Sequence, residues 1–584
     1  MRSTIRALLL GLVMFGASVA SAATLLNLLP ADTFVAVGVE GLSDHEDKAQ
    51  VFIDEWQRLG LGQLLQDAYA DDEIDEVAGE IPEALRNADL LDLIGGELWL
   101  TVSASSFNPL PAVTLVARLN ANGQAAIDEL LADAMNQGGT TSFTEGAVTF
   151  FVAAPSDDSE DGELAVPSEF GALAWARAGD LLTASSNPDV LRGVLRRYQG
   201  ASEPNLTANS GFNSTVGSLA TGNFYVYLDM ATVTAVASPF ASGMGFDGLV
   251  QRLGNAFSTM GAYGAVSYFV ADGIDGRSVR VLGDRNLDPR LYDLIAGSGG
   301  VSNDATAFVP STALGFQVST LDIPGWWAWL GEIAASEPQL GVDDLDGMVA
   351  SMTGMDLDAL LFSWMGSEAA VITVGAPSSG AIGTAMENPL GDVVYLVRAN
   401  DEAAAEAGLN TLFQMAVGMA SSFMDPMGEG QAVMPASRTV GGVNVTDWAL
   451  ADGFSVSTAV TGGYAIISTT PAGMDLALAA RQGSQGLPLS LAPLRQRIPE
   501  GVNSYALSDD SASLASTADM LLSQMDMVTG LTGDGDIDFE AAEAANQALA
   551  QFVDFVAQRL GSSVSFNRFT GSTLVGESHM SVDW

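Results

Sequence analysis

Gly462-Gly463-Tyr464-Ala465-Ile466-Ile467-Ser468-Thr469-Thr470-Pro471 repeats the pattern of Gly179-Asp180-Leu181-Leu182-Thr183-Ala184-Ser185-Ser186-Asn187-Pro188 at an offset of 283. The match runs without a gap to Gln482-Gly483 against Gln199-Gly200. In each stretch a turn opens a short apolar strand, and Asn-Pro or Thr-Pro then starts a helix. Asn or Thr caps that helix, and Pro takes the first helical position, where its missing N–H costs nothing. Working outward, Val309-Pro310-Ser311-Thr312-Ala313-Leu314-Gly315-Phe316 restates Leu29-Pro30-Ala31-Asp32-Thr33-Phe34-Val35-Ala36 at an offset of 280. Leu396-Val397-Arg398 restates Leu115-Val116-Ala117-Arg118 at 281, counted from the leucines. Solenoid repeats have periods of about 20–50 residues, so spacing this long predicts a duplicated domain.

Each copy predicts the same order of elements. A strand follows Pro30 or Pro310, and a helix follows over 47–65 or 325–335. A Gly-x-Glu turn then opens a strand, 96–102 or 366–374, and a second strand, 112–118 or 393–398, leads into a helix from Ala125 or over 403–419. Strands at 148–153, 173–177 and 181–185 stand opposite 454–460 and 464–468. Each copy closes on a strand pair, 261–270 with 278–283 and 563–570 with 572–581. Short connections imply antiparallel pairing. Strands in runs broken by single helices predict an α+β fold, two tandem homologous domains each with helices packed on one face of a mainly antiparallel sheet. The expected boundaries are a signal peptide at 1–22, a first domain at 23–296, a Gly/Ser-rich linker at 297–304 and a second domain at 305–584.

The formal net charge of −49 comes from 71 Asp and Glu against only 22 Lys and Arg. Charged residues make up 16% of the chain, below the roughly 25% of ordinary soluble domains, so it is poor in bases rather than supercharged with acids. Lys48 is the sole lysine. Nucleic acid is excluded as a partner, because a phosphate-binding surface needs clustered cations. No cysteine is present, which removes disulfides, thiolate metal sites and cysteine nucleophiles together. Arg2 and Arg6, the apolar run Ala7 to Phe15 and the small residues Ala20-Ser21-Ala22 form a secretory signal with cleavage expected before Ala23. The run is short for a bilayer span and no later apolar stretch is long enough, so the expected mature chain has no transmembrane helix. Its expected location is the periplasm, cell envelope or exterior.

The opening Leu29-Pro30-Ala31-Asp32-Thr33, the Gly-x-Glu strand opener, and a strand-Arg-helix unit ahead of a Pro-started helix are together similar to a family of exported or membrane-anchored bacterial proteins. That family is catalogued as a domain of unknown function, number thirty-three fifty-two. The resemblance implies an envelope location and the α+β fold across most of the mature chain. It brings no established activity or site residues.

The residues able to carry chemistry are few. His45 and His579 are the only histidines, and neither lies in a serine-triad or metal-ligand motif. Glu97 and Glu368 occupy equivalent turns and are read as carboxylates capping local backbone N–H groups; the competing role is acid–base chemistry, which needs a second carboxylate nearby. Arg118 and Arg398 at strand ends are read as carboxylate partners. Asp534, Asp536 and Asp538 alternate like the start of a calcium loop, but its sixth position is Phe539 and its twelfth Ala545, so calcium is the weaker reading beside a helix start. The acidic run 156–163 is read as a solvated hairpin tip. Met415, Met419, Met424, Met427 and Met434 have the thioethers of a copper site, but Met415 and Met419 are four apart on an expected helix and are read as core filler. Trp326, Trp327 and Trp329 crowd one helical turn and cannot all face inward; packing between the domains is the first reading, and an envelope protein, a glycan or a membrane interface meeting one of them is the second. The function read from these features is a non-catalytic binding or scaffolding module of the cell envelope. The alternatives are a carboxylate-dependent hydrolase acting on an envelope polymer and an outer-membrane-associated protein.

Overall fold

A computed structural model of the chain describes residues 25–41, 45–61, 94–104, 111–121, 123–125, 127–128, 140–153, 173–242, 247–297, 299–336, 344–375, 392–424, 435–451, 454–483, 487–514 and 539–584. Residues 1–22, the acidic run 156–163, Met427, Met434, Asp534, Asp536 and Asp538 lie outside these residues. The chain divides into two compact units, one drawn from Met1–Arg58, Ala70–Gly243 and Gly254–Leu287, the other from Leu59–Tyr69, Met244–Leu253 and Asp288–Trp584. The second unit thus starts ahead of the Gly/Ser-rich stretch at 297–304, because the helix Pro289–Ala296 belongs to it.

The first unit contains β1 (Thr33–Glu40), β2 (Ile94–Ser103), β3 (Ala112–Leu119), β4 (Thr140–Glu145), β5 (Val148–Ala153), β6 (Leu173–Ala178), β7 (Leu181–Ser185), β8 (Phe224–Asp229), β9 (Ala262–Val270) and β10 (Gly273–Val281). Their antiparallel pairings give the order β10-β9-β8-β1-β2-β3-β7-β6-β5-β4. The second unit contains β11 (Gly315–Thr320), β12 (Met365–Gly375), β13 (Asp392–Ala399), β14 (Ala436–Val440), β15 (Val443–Ala451), β16 (Phe454–Thr461), β17 (Tyr464–Ser468), β18 (Ser504–Asp509), β19 (Leu560–Thr570) and β20 (Thr573–Val582). Here the order is β20-β19-β18-β11-β12-β13-β17-β16-β15-β14, again antiparallel throughout. With helices between these runs, the fold is α+β.

The helices do not keep to one face of the sheet, which corrects the expectation. On β17, Tyr464 and Ile466 join a core with Met474, Ala477 and Leu478 of the helix Pro471–Gly483. Ala465 and Ile467 point the other way and pack with Ala405 and Leu409 of the helix Glu402–Met424. The first unit behaves alike: Val116, Ala174 and Ala176 pack under Leu191, Val194 and Leu195 of Pro188–Tyr198, while Trp175 and Ala184 meet Ile127. A strand such as Tyr464-Ala465-Ile466-Ile467, apolar on both sides, must be covered twice. The helix starts follow the sequence chemistry: the Asn187 side chain accepts from Asp189 N–H at 2.9 Å with Pro188 beside it. Asp401 accepts from Ala403 and Ala404 N–H at 3.0 and 3.1 Å.

One packing exchange separates the units. In the first, Trp99 of β2 is fully buried and stands opposite Gly38 of β1, which in turn faces Tyr225 of β8. A Cβ on Gly38 would meet the Trp99 ring at 2.3 Å. In the second, Val318 stands opposite Ala370 and faces Tyr505. The volume removed from one strand is returned on the next. Gly38→Ala is therefore expected to cost about 2–3 kcal/mol by denaturant unfolding. Adding Gly38→Val to Trp99→Ala should recover part of the cavity cost of Trp99→Ala alone, and strictly additive effects would contradict this packing account.

Candidate functional site

The residues with the most unusual environment are buried carboxylates at one end of each sheet. In the first unit the chain enters through Leu25, Leu28 and Leu29, all buried. This segment is held by backbone and side-chain bonds: Leu206 N–H donates to Leu29 O at 3.0 Å, and Arg197 Nε donates to Leu28 O at 2.8 Å. The N–H of Leu25 donates to Oε1 of Glu97. Glu97 thus accepts from a residue 72 positions earlier, not from its own turn. Arg118, its neighbour on β3, lies 3.5 Å from Oε2 and makes its closer pair with Asp180 at 2.6 Å.

Glu40 is the residue that sequence reasoning missed. It ends β1 directly opposite Glu97, so the two side chains rise side by side from one face of the sheet. Burial pushes the Glu97 carboxyl up to about 7; the Glu40 charge adds to the rise, while the Leu25 N–H and Arg118 oppose it. Burial also holds Glu40 above the ordinary carboxylate range. Hydrogen bonds from the Tyr225 and Trp99 side chains oppose that rise. The signal available in sequence was the alternation of Thr33–Glu40, which puts Glu40 on the same face as Ala36 and Gly38.

A native carboxyl that titrates near 7 holds a proton that the unfolded chain, titrating near 4.5, has released. Between those pH values the native state binds more protons, so the contribution of Glu97 to stability falls as pH rises. For the full 584-residue chain, stability should drop by on the order of 3 kcal/mol more across pH 4.5–7 than for Glu97→Gln. Urea unfolding at several pH values measures this, and parallel curves would contradict it.

The second unit carries the same clasp with different neighbours. Glu368 Oε2 accepts from Ser302 N–H at 2.5 Å, and Oε1 accepts from Ser302 Oγ at 3.0 Å and from the Tyr464 hydroxyl. Thr320 stands where the first unit has Glu40, and Tyr464 where it has Leu181. Burial pushes the Tyr464 phenol up to about 12, with the Glu368 hydrogen bond adding to the rise. Arg398 pairs with Asp304 at 2.9 Å and lies over the Tyr464 ring at 5.1 Å. In the first unit, where Leu181 lacks that hydroxyl, a cavity of about 420 Å³ is lined by Leu25, Arg118, Asp180, Leu181 and Arg197 among others.

The indole cluster is drawn inward. Trp329 is buried, and its Nε1 donates to Asp288 Oδ2 at 2.8 Å. Trp326 meets Trp329 edge-on at 5.5 Å, and Trp327 Nε1 donates to Asp346 Oδ1 at 2.7 Å. Trp326 and Trp327 stay half-buried, so a partner would meet these two and not Trp329. Asp288, fully buried, also accepts from Leu291 N–H at 3.0 Å, capping Pro289–Ala296. Arg252 lies 3.7 Å from Asp288 and 2.5 Å from Glu332. The histidines belong to different units: His45 packs on Phe269 at 5.1 Å, and His579 is buried on β20. Among the described residues, no group of three or more His, Asp or Glu is arranged to hold a metal, and no helix is long and apolar enough to cross a membrane.

No curated protein matches the chain. A solved structure described as "Structure of crystal form I of TP0453" aligns over 48% of this chain and 90% of that one at 9% identity, with a TM-score of 0.19. That similarity is too low to carry an argument. A family model described as "Protein of unknown function (DUF3352)" matches residues 155–488. The match is narrower than the expected span: it includes Pro310, Glu368, Arg398 and Tyr464 and leaves out Leu29-Pro30 and Glu97. It nevertheless takes in more than half of the chain, which therefore belongs to the DUF3352 family.

Proposed function

We propose that the protein is an exported bacterial cell-envelope protein, made by duplication of one α+β domain, that serves as a non-catalytic binding or scaffolding module. The observation that supports this reading is the recurrence of one ten-strand order in both units, with a carboxylate at the same place in each gripping the segment that enters the sheet. Glu97 and Glu368, the equivalent acids of the two copies, are spent on holding chain to chain. The Leu29-Pro30 and Val309-Pro310 openers and the paired arginines Arg118 and Arg398 serve the same framework. Export is supported by the basic, apolar and small-residue layout of residues 1–22.

The hydrolase reading gains the second acid it required, since Glu40 stands beside Glu97. A glycosidase needs its carboxyls on either side of a scissile bond, about 5–10 Å apart. Here the two share one sheet face and Leu25 lies on Glu97, so the arrangement favours a structural duty. Helices of the chain itself cover both faces of each sheet, which does not suit the lipid-facing exterior of a barrel strand.

Cell fractionation with mass mapping of the amino terminus tests export: the protein should be recovered outside the cytoplasm beginning at Ala23. Crosslinking in intact envelopes should then trap a partner on Trp326 or Trp327 side-chain probes. Cytoplasmic recovery with residues 1–22 intact would overturn the reading.

A further inference from the structure

The cavity of about 420 Å³ in the first unit is walled by charges of both signs. Arg118 and Arg197 line it, in a chain that has 22 Lys and Arg against 71 Asp and Glu. Both guanidiniums lie deep, their side chains 14% and 9% exposed, whereas the acids beside them, Asp180 and Glu203, are 39% and 32% exposed. Cations therefore sit on the inner wall and carboxylates nearer the solvent. Leu25, Leu28 and Leu181 supply an apolar wall.

A sheltered cation is costly unless an anion offsets it. Arg118 has Asp180 at 2.6 Å. Arg197 lies 3.5 Å from Glu203, which makes its closer pair with Arg196 at 2.6 Å. Arg197 Nε donates to Leu28 O at 2.8 Å and Nη1 to Pro204 O at 3.4 Å, while Nη2 donates to no described residue. Burial holds the Arg197 guanidinium below its ordinary range; Glu203 and Asp32 oppose the fall, and Arg196 adds to it.

The second unit lacks this arrangement. At the same offset of 283, Asp180, Leu181, Gly193 and Arg197 are replaced by Gly463, Tyr464, Leu476 and Ala480. A Cβ on Gly193 would come within 3.4 Å of Arg197 Nη2, so the glycine makes room for a guanidinium that is absent from the other copy. Tyr464 takes the place of Leu181 and bonds to Glu368. The framework repeats between the units, but the paired charges around an open space belong to the first.

We propose that this cavity binds a small zwitterion with an apolar body, the chemistry of an apolar α-amino acid or a short apolar peptide. Arg197 and Arg118 take the carboxylate, Asp180 and Glu203 take the ammonium nearer the solvent, and the three leucines receive the apolar side chain. A simple anion would meet both acids and a simple cation both arginines, so a ligand carrying both charges satisfies the lining best. The volume lies within the range of about 300–1,000 Å³ usual for small-molecule sites. The site goes beyond the scaffolding reading and stands independently of export.

Isothermal titration calorimetry of the full chain with L-leucine should show one site with a dissociation constant below about 1 mM. N-acetyl-L-leucine lacks the ammonium and L-leucinamide lacks the carboxylate, and each should bind at least about tenfold more weakly. L-Leucyl-L-leucine keeps both charges and separates the sources: tighter dipeptide binding assigns the cavity to peptides, tighter leucine binding to free amino acids. Leu181→Tyr, which puts the second unit's residue into the cavity, should remove the heat of binding while the far-ultraviolet circular dichroism stays that of the wild type. Three results would each overturn the site: no binding of leucine or leucyl-leucine, equal binding of either charge-blocked analogue, or full binding by a folded Leu181→Tyr chain. The analogue series needs no variant, so a Leu181→Tyr chain that failed to fold would not shelter the proposal.

Discussion

Glu368→Ala is expected to destabilise the second unit by about 3–4 kcal/mol. Glu368 is buried and accepts three hydrogen bonds, from Ser302 N–H, Ser302 Oγ and Tyr464 OH. Truncation leaves a buried phenol and a backbone N–H without their acceptor, and each such group costs about 1–3 kcal/mol. The loss should be local before it is global. Hydrogen exchange followed by mass spectrometry should show faster exchange in peptides spanning Val301 to Thr320, and proteolysis should begin near Ser302. Glu368→Gln retains an acceptor oxygen and should lose about half as much. Unchanged protection around Ser302 in the alanine variant would show that Glu368 does not hold the entering segment.

Asp288→Ala should cost about 3–5 kcal/mol, the range for breaking a buried, partnered charge. This one carboxylate caps the helix Pro289–Ala296 through Leu291 N–H, accepts the Trp329 indole N–H and lies near Arg252. Its removal orphans the Leu291 N–H and the Trp329 indole N–H and leaves Arg252 to its pair with Glu332. The helix Ile323–Ala335 should loosen with Trp329, and the tryptophan emission of the native state should shift to longer wavelength. Asp288→Asn keeps an acceptor oxygen for one donor but loses the attraction to Arg252, so it should fall between wild type and alanine. A cost below about 1 kcal/mol for the alanine variant would mean that the indoles are held by apolar packing alone.

Much of the framework could be read directly from residues. The strands at 148–153, 181–185 and 464–468 lie where the apolar runs put them, and Asn187-Pro188 caps its helix as its chemistry requires. Strand β8, its counterpart β18, and the hairpin strands β4, β14 and β15 were not anticipated. Phe224-Tyr225-Val226-Tyr227-Leu228 alternates weakly, with Val226 exposed between buried tyrosines, so no polar face marks its period. Glu97 and Glu368 were singled out by their repeated position, yet their partners were not visible. Leu25 and Ser302 lie 72 and 66 residues away, and nothing in local spacing reports a bond of that range.

From the letters alone came the recurrence of matching stretches about 280 residues apart, the α+β class, the antiparallel pairing, the shortage of cationic side chains with two histidines and no cysteine, and the layout of residues 1–22. These are properties of local pattern and of composition, which survive without knowing what touches what. Tertiary structure alone decided that helices cover both sheet faces, that Trp329 turns in to Asp288, and that Glu40 meets Glu97 beneath Leu25. Each of these depends on strand order and register, and a carboxylate acquires its charge state and its partner only when folding removes water and brings distant segments within hydrogen-bond reach.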